Sequence, residues 1–176
     1  MRSWATVIDQ LNACLGRLCS WLVLLMIIVG AWNVVGRHLG PLVGRNLSSN
    51  SLIEVQWYLF SLTFLLGGAW TMQRNGHVRV DVLQSRWGAR RKALANVVGT
   101  ILLLFPFCLL LILSSWDAVH FSWRILEQSP DPGGLPRYPL KTVLPLSFLL
   151  LMLQGIADVI HNMEVIRSFE KKRKPW

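Results

Sequence analysis

With charged residues taken as boundaries, the chain contains four long uncharged runs: Leu18 to Gly36, Val55 to Gln73, Ala93 to Trp116 and Thr142 to Ala157. A helix crossing a hydrocarbon core of roughly 30 Å needs about 20 residues at about 1.5 Å each. The first three runs are long enough. The fourth has 16 residues, but Asp158 is the only charge between Lys141 and Glu164, so an apolar helix can continue to about His161. In lipid every backbone polar group must be paired internally, which makes helices the expected form of all four runs. The pattern therefore predicts an all-α integral membrane protein, a bundle of four transmembrane helices forming one membrane domain over 1–176. The spans are expected at approximately 15–37, 52–73, 93–124 and 141–162, with a tail at 163–176.

The connecting segments carry their own signals. Trp4, Val7, Ile8, Leu11, Leu15 and Leu18 recur at helical steps with Asp9, Gln10 and Asn12 between them. This predicts an amphipathic N-terminal helix before the first span, either an arm on a partner subunit or a helix on lipid head groups. Ser51 and Glu54 have the spacing of a capping box at the start of the second span. Asn75-Gly76 is a turn signal that opens an interfacial segment between spans two and three, in which Val80, Leu83 and Trp87 would share a helical face. Pro106 is expected to bend the third helix. Ser129 to Pro139 contains four prolines and predicts an ordered outer loop.

Composition agrees with the pattern, since 53% hydrophobic and 15% charged residues exclude an ordinary soluble domain of this length. A net charge of +9 would suit nucleic acid only on a soluble basic face, whereas here the basic residues lie beside apolar runs. Thirteen Lys and Arg flank one side of the four spans, and five, namely Arg37, Arg45, Arg124, Arg137 and Lys141, flank the other. The positive-inside rule makes the heavier side cytoplasmic, which predicts an N-in/C-in topology. Trp21, Trp70 and Trp87 near the inner ends and Trp32, Trp57, Trp116 and Trp123 near the outer ends form the expected aromatic belts. Cys14, Cys19 and Cys108 have no paired spacing and read as free thiols. The first run has no cleavage signal after it and reads as a retained helix.

The search for chemistry finds little. No ionisable residue falls in the central portion of a span, where a pump or carrier would need one. Asn33, Ser61, Thr63, Thr100, Ser147 and Gln154 are expected to bond between helices, and Gly67, Gly68 and Gly99 to allow close helix approach. His38 and His120 at the outer ends, with His77 and His161 at the inner ends, raise the alternative of a haem-binding membrane anchor of an electron-transfer complex. Their position at span ends weighs against it. No catalytic motif is present, so no catalytic residue, cofactor ligand or metal ligand is expected.

Two stretches supply what the helices do not. Gly67-Gly68-Ala69-Trp70 runs into Arg74-Asn75-Gly76-His77-Val78-Arg79-Val80-Asp81-Val82-Leu83, and the outer segment reads Pro132-Gly133-Gly134-Leu135-Pro136-Arg137-Tyr138-Pro139-Leu140-Lys141. Together they resemble the small permease subunit of TRAP transporters, the DctQ-like or Q subunit. Glu54, Gln56 and Trp57 at the opening of the second span fit the same resemblance.

The resemblance implies a tripartite importer in a bacterial inner membrane, with a non-enzymatic small subunit. A periplasmic substrate-binding protein would deliver an organic acid such as a carboxylate, and the large M subunit would move it with sodium. The small subunit would be the scaffold paired with the large one. Glu54, Gln56, Trp57, Arg74, His77, Arg79 and Asp81 become subunit-interface or structural candidates, and Asp131, Arg137 and Tyr138 candidates for docking the binding protein. Arg86, Arg90, Arg91 and Lys92 become lipid-contact candidates, with phospholipid between subunits. Sodium belongs in the large subunit, no cofactor in this one, and no nucleic acid among the partners.

Overall fold

The computed structural model describes residues 2–44, 47–76 and 87–173. It contains α1 (Arg2–Val43), α2 (Asn50–Gln73), α3 (Ala89–Arg124) and α4 (Tyr138–Arg173). All four are long and apolar enough to cross a membrane. The interfacial segment expected between spans two and three lies largely outside the described residues.

The N-terminal amphipathic segment is not a separate helix. It continues into the first span because no proline occurs before Pro41, so α1 runs for 42 residues. At 1.5 Å per residue this is about 63 Å, roughly twice the hydrocarbon core. Two of its polar residues face the protein, Asn12 wholly buried and Asp9 half-buried, whereas Gln10 is exposed together with Trp4, Val7 and Leu11. The fourth helix is likewise longer than the apolar pattern suggested, since α4 passes His161 and reaches Arg173.

The four helices pack as an open arrangement. α4 is the central element and packs on α1, α2 and α3, while α1 also packs on α2 and α3 makes extensive contact only with α4. This open arrangement suits a bilayer. Apolar faces left uncovered meet lipid tails, so no hydrophobic force compels them together.

Close approach occurs at glycines other than those expected. A Cβ on Gly16 would lie 2.5 Å from the Trp70 ring, and one on Gly155 would lie 2.9 Å from Leu104 and Phe105. Gly68 and Gly99 face open space and Gly67 makes only an ordinary contact, because these positions point away from the neighbouring backbones. Facing Gly155, α3 passes through a π-helical turn at Thr100–Leu104 in which the Phe105 N–H donates to Thr100 O. The wider turn is the fold's response to Pro106, whose missing N–H cannot continue the α-helical ladder.

The polar side chains inside the spans also depart from expectation. Thr63 donates to Leu59 O at 2.8 Å and Ser147 to Leu144 O at 2.7 Å, each within its own helix. Back-bonding of this kind needs no neighbour. Asn33 is buried with its Oδ1 unpaired among the described residues, and of the six it is Gln154 that joins one helix to another.

Candidate functional site

Two polar clusters, one at each end of the helices, organise the molecule. The one at the end that carries the α3–α4 loop, called outer after the orientation expected from the sequence, begins with the cap of α2. Ser49 Oγ accepts the Leu52 N–H at 3.4 Å, so the helix starts earlier than the capping-box spacing implied. Ser51 and Glu54 are thereby released from capping, which corrects the sequence reading. They reach across to the loop between α3 and α4 instead.

That loop is held as a hairpin-like turn with an antiparallel bridge between Gln128 and Pro136. Ser129 N–H donates to Leu135 O at 3.2 Å, Gly134 N–H to Asp131 O at 3.0 Å and Arg137 N–H to Glu127 O at 2.8 Å. Gly133 takes φ +74°, a conformation costly for other residues. Against this turn sits the buried Glu54 carboxylate, which accepts from Ser129 Oγ and from the Leu135 N–H. Ser51 Oγ donates to Gly133 O at 2.5 Å and Tyr58 OH to Pro136 O. Gly134 has no room for a side chain, because a Cβ would meet Ser129 Cβ at 2.3 Å and Glu54 Oε1 at 2.8 Å.

A second carboxylate fixes the base of the loop. Glu127 Oε2 accepts from Lys141 Nζ and, at 2.7 Å, from Ser122 Oγ. The Lys141 bond first, then the Ser122 bond, holds the Glu127 carboxyl below the usual glutamate range. Trp123 Nε1 donates to Thr142 Oγ1 at 2.7 Å while its ring meets Tyr138 edge-on at 4.6 Å.

The inner cluster joins α1, α2 and α4. Gln154 accepts from Asn12 Nδ2 at 2.6 Å and donates to Asp9 Oδ1 at 3.1 Å. His161 Nε2 lies 2.9 Å from Asp9 Oδ2, and Gln73 Nε2 donates to Asp9 O at 2.9 Å. Asn12 Oδ1 and Gln73 Oε1 are buried without a hydrogen-bond partner among the described residues.

The sequence candidates scatter over this frame. Glu54 is internal, Gln56 packs on Gly30, and Trp57 is 70% exposed. The Arg74 guanidinium stands 5.6 Å from the Trp70 ring centroid, a cation–π contact. His77, Arg79, Asp81 and Arg86 lie outside the described residues. Asp131 is exposed near the loop tip, and Arg137 and Tyr138 are half-buried at its base. Arg90 and Arg91 are exposed and Lys92 half-buried in the first turns of α3.

For the haem alternative, His38 and His120 stand on α1 and α3, which share no extensive contact, and His161 is engaged by Asp9. Among the described residues no three His, Cys, Asp or Glu side chains gather to hold a metal. The sequence reading missed the Asp9–Asn12–Gln154–His161 junction. The spacing of Asp9 and Asn12 on one helical face was the available signal, but it needed α4 beside it to become a site.

Four apolar helices tied by a buried carboxylate at one end and an amide–carboxylate junction at the other define a multi-pass membrane protein whose polar groups serve mainly to join its own elements. A family model for the DctQ component of tripartite ATP-independent periplasmic transporters matches residues 26–165. The chain belongs to that family, a family of transporter components and not of enzymes. No curated protein and no solved structure matches it.

Proposed function

We propose that the chain is the scaffold subunit of a sodium-coupled TRAP importer for an organic acid such as a carboxylate. It resides as a single membrane domain in the bacterial inner membrane with both termini cytoplasmic. Its large partner carries substrate and sodium, and the α3–α4 loop with Asp131, Arg137 and Tyr138 helps dock the periplasmic binding protein. Glu54 acts structurally beneath that loop. Gln56, Trp57, Arg74, His77, Arg79 and Asp81 serve structure or subunit contact, and Arg86, Arg90, Arg91 and Lys92 meet phospholipid.

The family match carries this reading. The open helix arrangement supports it, because a scaffold needs uncovered faces. The test is reconstitution in liposomes of this chain, the large subunit and the binding protein. Uptake of a carboxylate that needs all three proteins and an inward sodium gradient is expected. Full uptake without this chain, or without sodium, overturns the corresponding part.

A further inference from the structure

We propose that Asn12 Oδ1 and Gln73 Oε1 form a binding site for one buried water molecule, which bridges α1 and α2 at the inner end of the molecule. The inference goes beyond the transporter reading and does not depend on it.

Both oxygens are buried without a hydrogen-bond partner among the described residues, and Asn12 as a whole is 0% exposed. They belong to one level of the α1–α2 seam. Gly16 meets Trp70, Cys19 meets Thr63 and Gly30 meets Gln56, so the two helices run antiparallel. One turn inward from the Gly16–Trp70 contact stand Asn12 on α1 and Gln73 on α2. Gln73 Nε2 donates to Asp9 O at 2.9 Å, which lays its side chain against α1 within a turn of Asn12.

Neither amide can turn its NH2 toward the open side. A carboxylate only accepts, so Gln154 presents Nε2 to Asp9 Oδ1 at 3.1 Å and thereby Oε1 to Asn12. Asn12 must meet that oxygen with Nδ2, at 2.6 Å, since a flip would set two acceptors against each other. The Asp9 backbone oxygen also only accepts, and it fixes Gln73 Nε2 in the same way. Two locked acceptors are left in the seam.

A pair of acceptors takes an occupant that donates two hydrogens. Water does so, and buried waters serve such groups with about three hydrogen bonds each. No side chain of another protein can reach Asn12, because none of its surface is exposed. A hard cation takes about six oxygen ligands. The other oxygens of the junction are engaged, with Gln154 Oε1 on Asn12, Asp9 Oδ1 on Gln154 and Asp9 Oδ2 on His161.

The test is a density map of the unaltered chain, fine enough to show ordered water. One peak within about 2.6–3.2 Å of both oxygens is expected. The absence of that peak overturns the proposal, and so does a side chain bonded directly to either oxygen. A peak ringed by about six oxygens at about 2.4 Å would be a cation and overturns it too. Replacing sodium and potassium by choline should leave the thermal midpoint unchanged, and a clear drop would likewise assign the site to a cation. In a double-mutant cycle Asn12→Leu and Gln73→Leu should be coupled although the two side chains share no bond, because either one alone removes the bridge. The double variant should fall short of the product of the single effects on the unfolding constant by about threefold or more, and independent effects overturn the bridge. Should either variant fail to fold, the map and the choline exchange, which need no variant, decide.

Discussion

The two ends of the molecule use polar side chains in opposite ways. At the outer end a short loop is drawn onto α2, and each Glu54 carboxylate oxygen has a donor from that loop. At the inner end three long helices meet through Asp9, Asn12, Gln73, Gln154 and His161, yet two buried amide oxygens have no partner among the described residues. The difference separates local fastening from helix association. A loop is mobile unless tied, so its ties are complete, whereas helices in lipid are held by packing as well and tolerate a partly satisfied network.

The largest effect is expected where one side chain serves two helices. Gln154→Leu removes the acceptor of the fully buried Asn12 and a donor to Asp9. Interhelical bonds in membranes are worth about 0.6 kcal/mol on average and up to about 1.7, and a buried amide left unpaired adds to the loss. A total of about 2–3 kcal/mol is expected, read by unfolding in mixed micelles. The double variant Asn12→Leu with Gln154→Leu should recover part of it, since removing both partners leaves fewer orphans. A double variant worse than the sum of the singles would show that the junction is not held by this pair.

Glu54→Leu tests the other end. Ser129 O–H and Leu135 N–H would lose their acceptor together, so the loop should open locally while the helices stay packed. Protease cleavage within the loop is expected to rise by about tenfold, with little change in global unfolding. Glu54→Gln should do less, because the Ser129 hydroxyl can turn and accept from an amide. An equal fall in global stability from Glu54→Leu would erase the distinction between the ends.

These two clusters also mark how far the sequence could be read. The four spans were legible because apolar runs bounded by charge report membrane crossing directly. The second polar role of Glu54 was not, since Ser51 and Glu54 fit a cap equally well until Ser49 is seen to take that place. Asp9 and Gln154 are 145 residues apart, a pairing that depends on which helices touch.

A smaller effect distinguishes the ends by pH. The Glu127 carboxyl is held below its usual range by Lys141 and Ser122, so folding favours its ionised form. The stability it contributes is present above the unfolded-state value of about 4.3 and is lost as pH falls through the lower folded-state value. Loop protection from cleavage by an acid-active protease should therefore hold near neutrality and decline only below about pH 4. Replacing Lys141 with Met should move that decline upward. A loop that opens between pH 6 and 7 would assign the loop's pH sensitivity to some other group.

The smallest effect concerns a polar side chain with no hydrogen-bond partner among the described residues. Gln56 lies over Gly30, where a Cβ would fall 2.2 Å from Gln56 Nε2 but 3.3 Å from its Cδ. The crowding is with the far end of a flexible side chain, which can rotate aside. Alanine is also the better helix former, by about 1 kcal/mol in exposed water-soluble helices. Gly30→Ala should therefore change stability by no more than about 0.5 kcal/mol in either direction. A loss well above 1 kcal/mol would mean that Gln56 is held in place as firmly as Gln154, and the outer half of the α1–α2 seam would then be a third polar fastening instead of a packing contact.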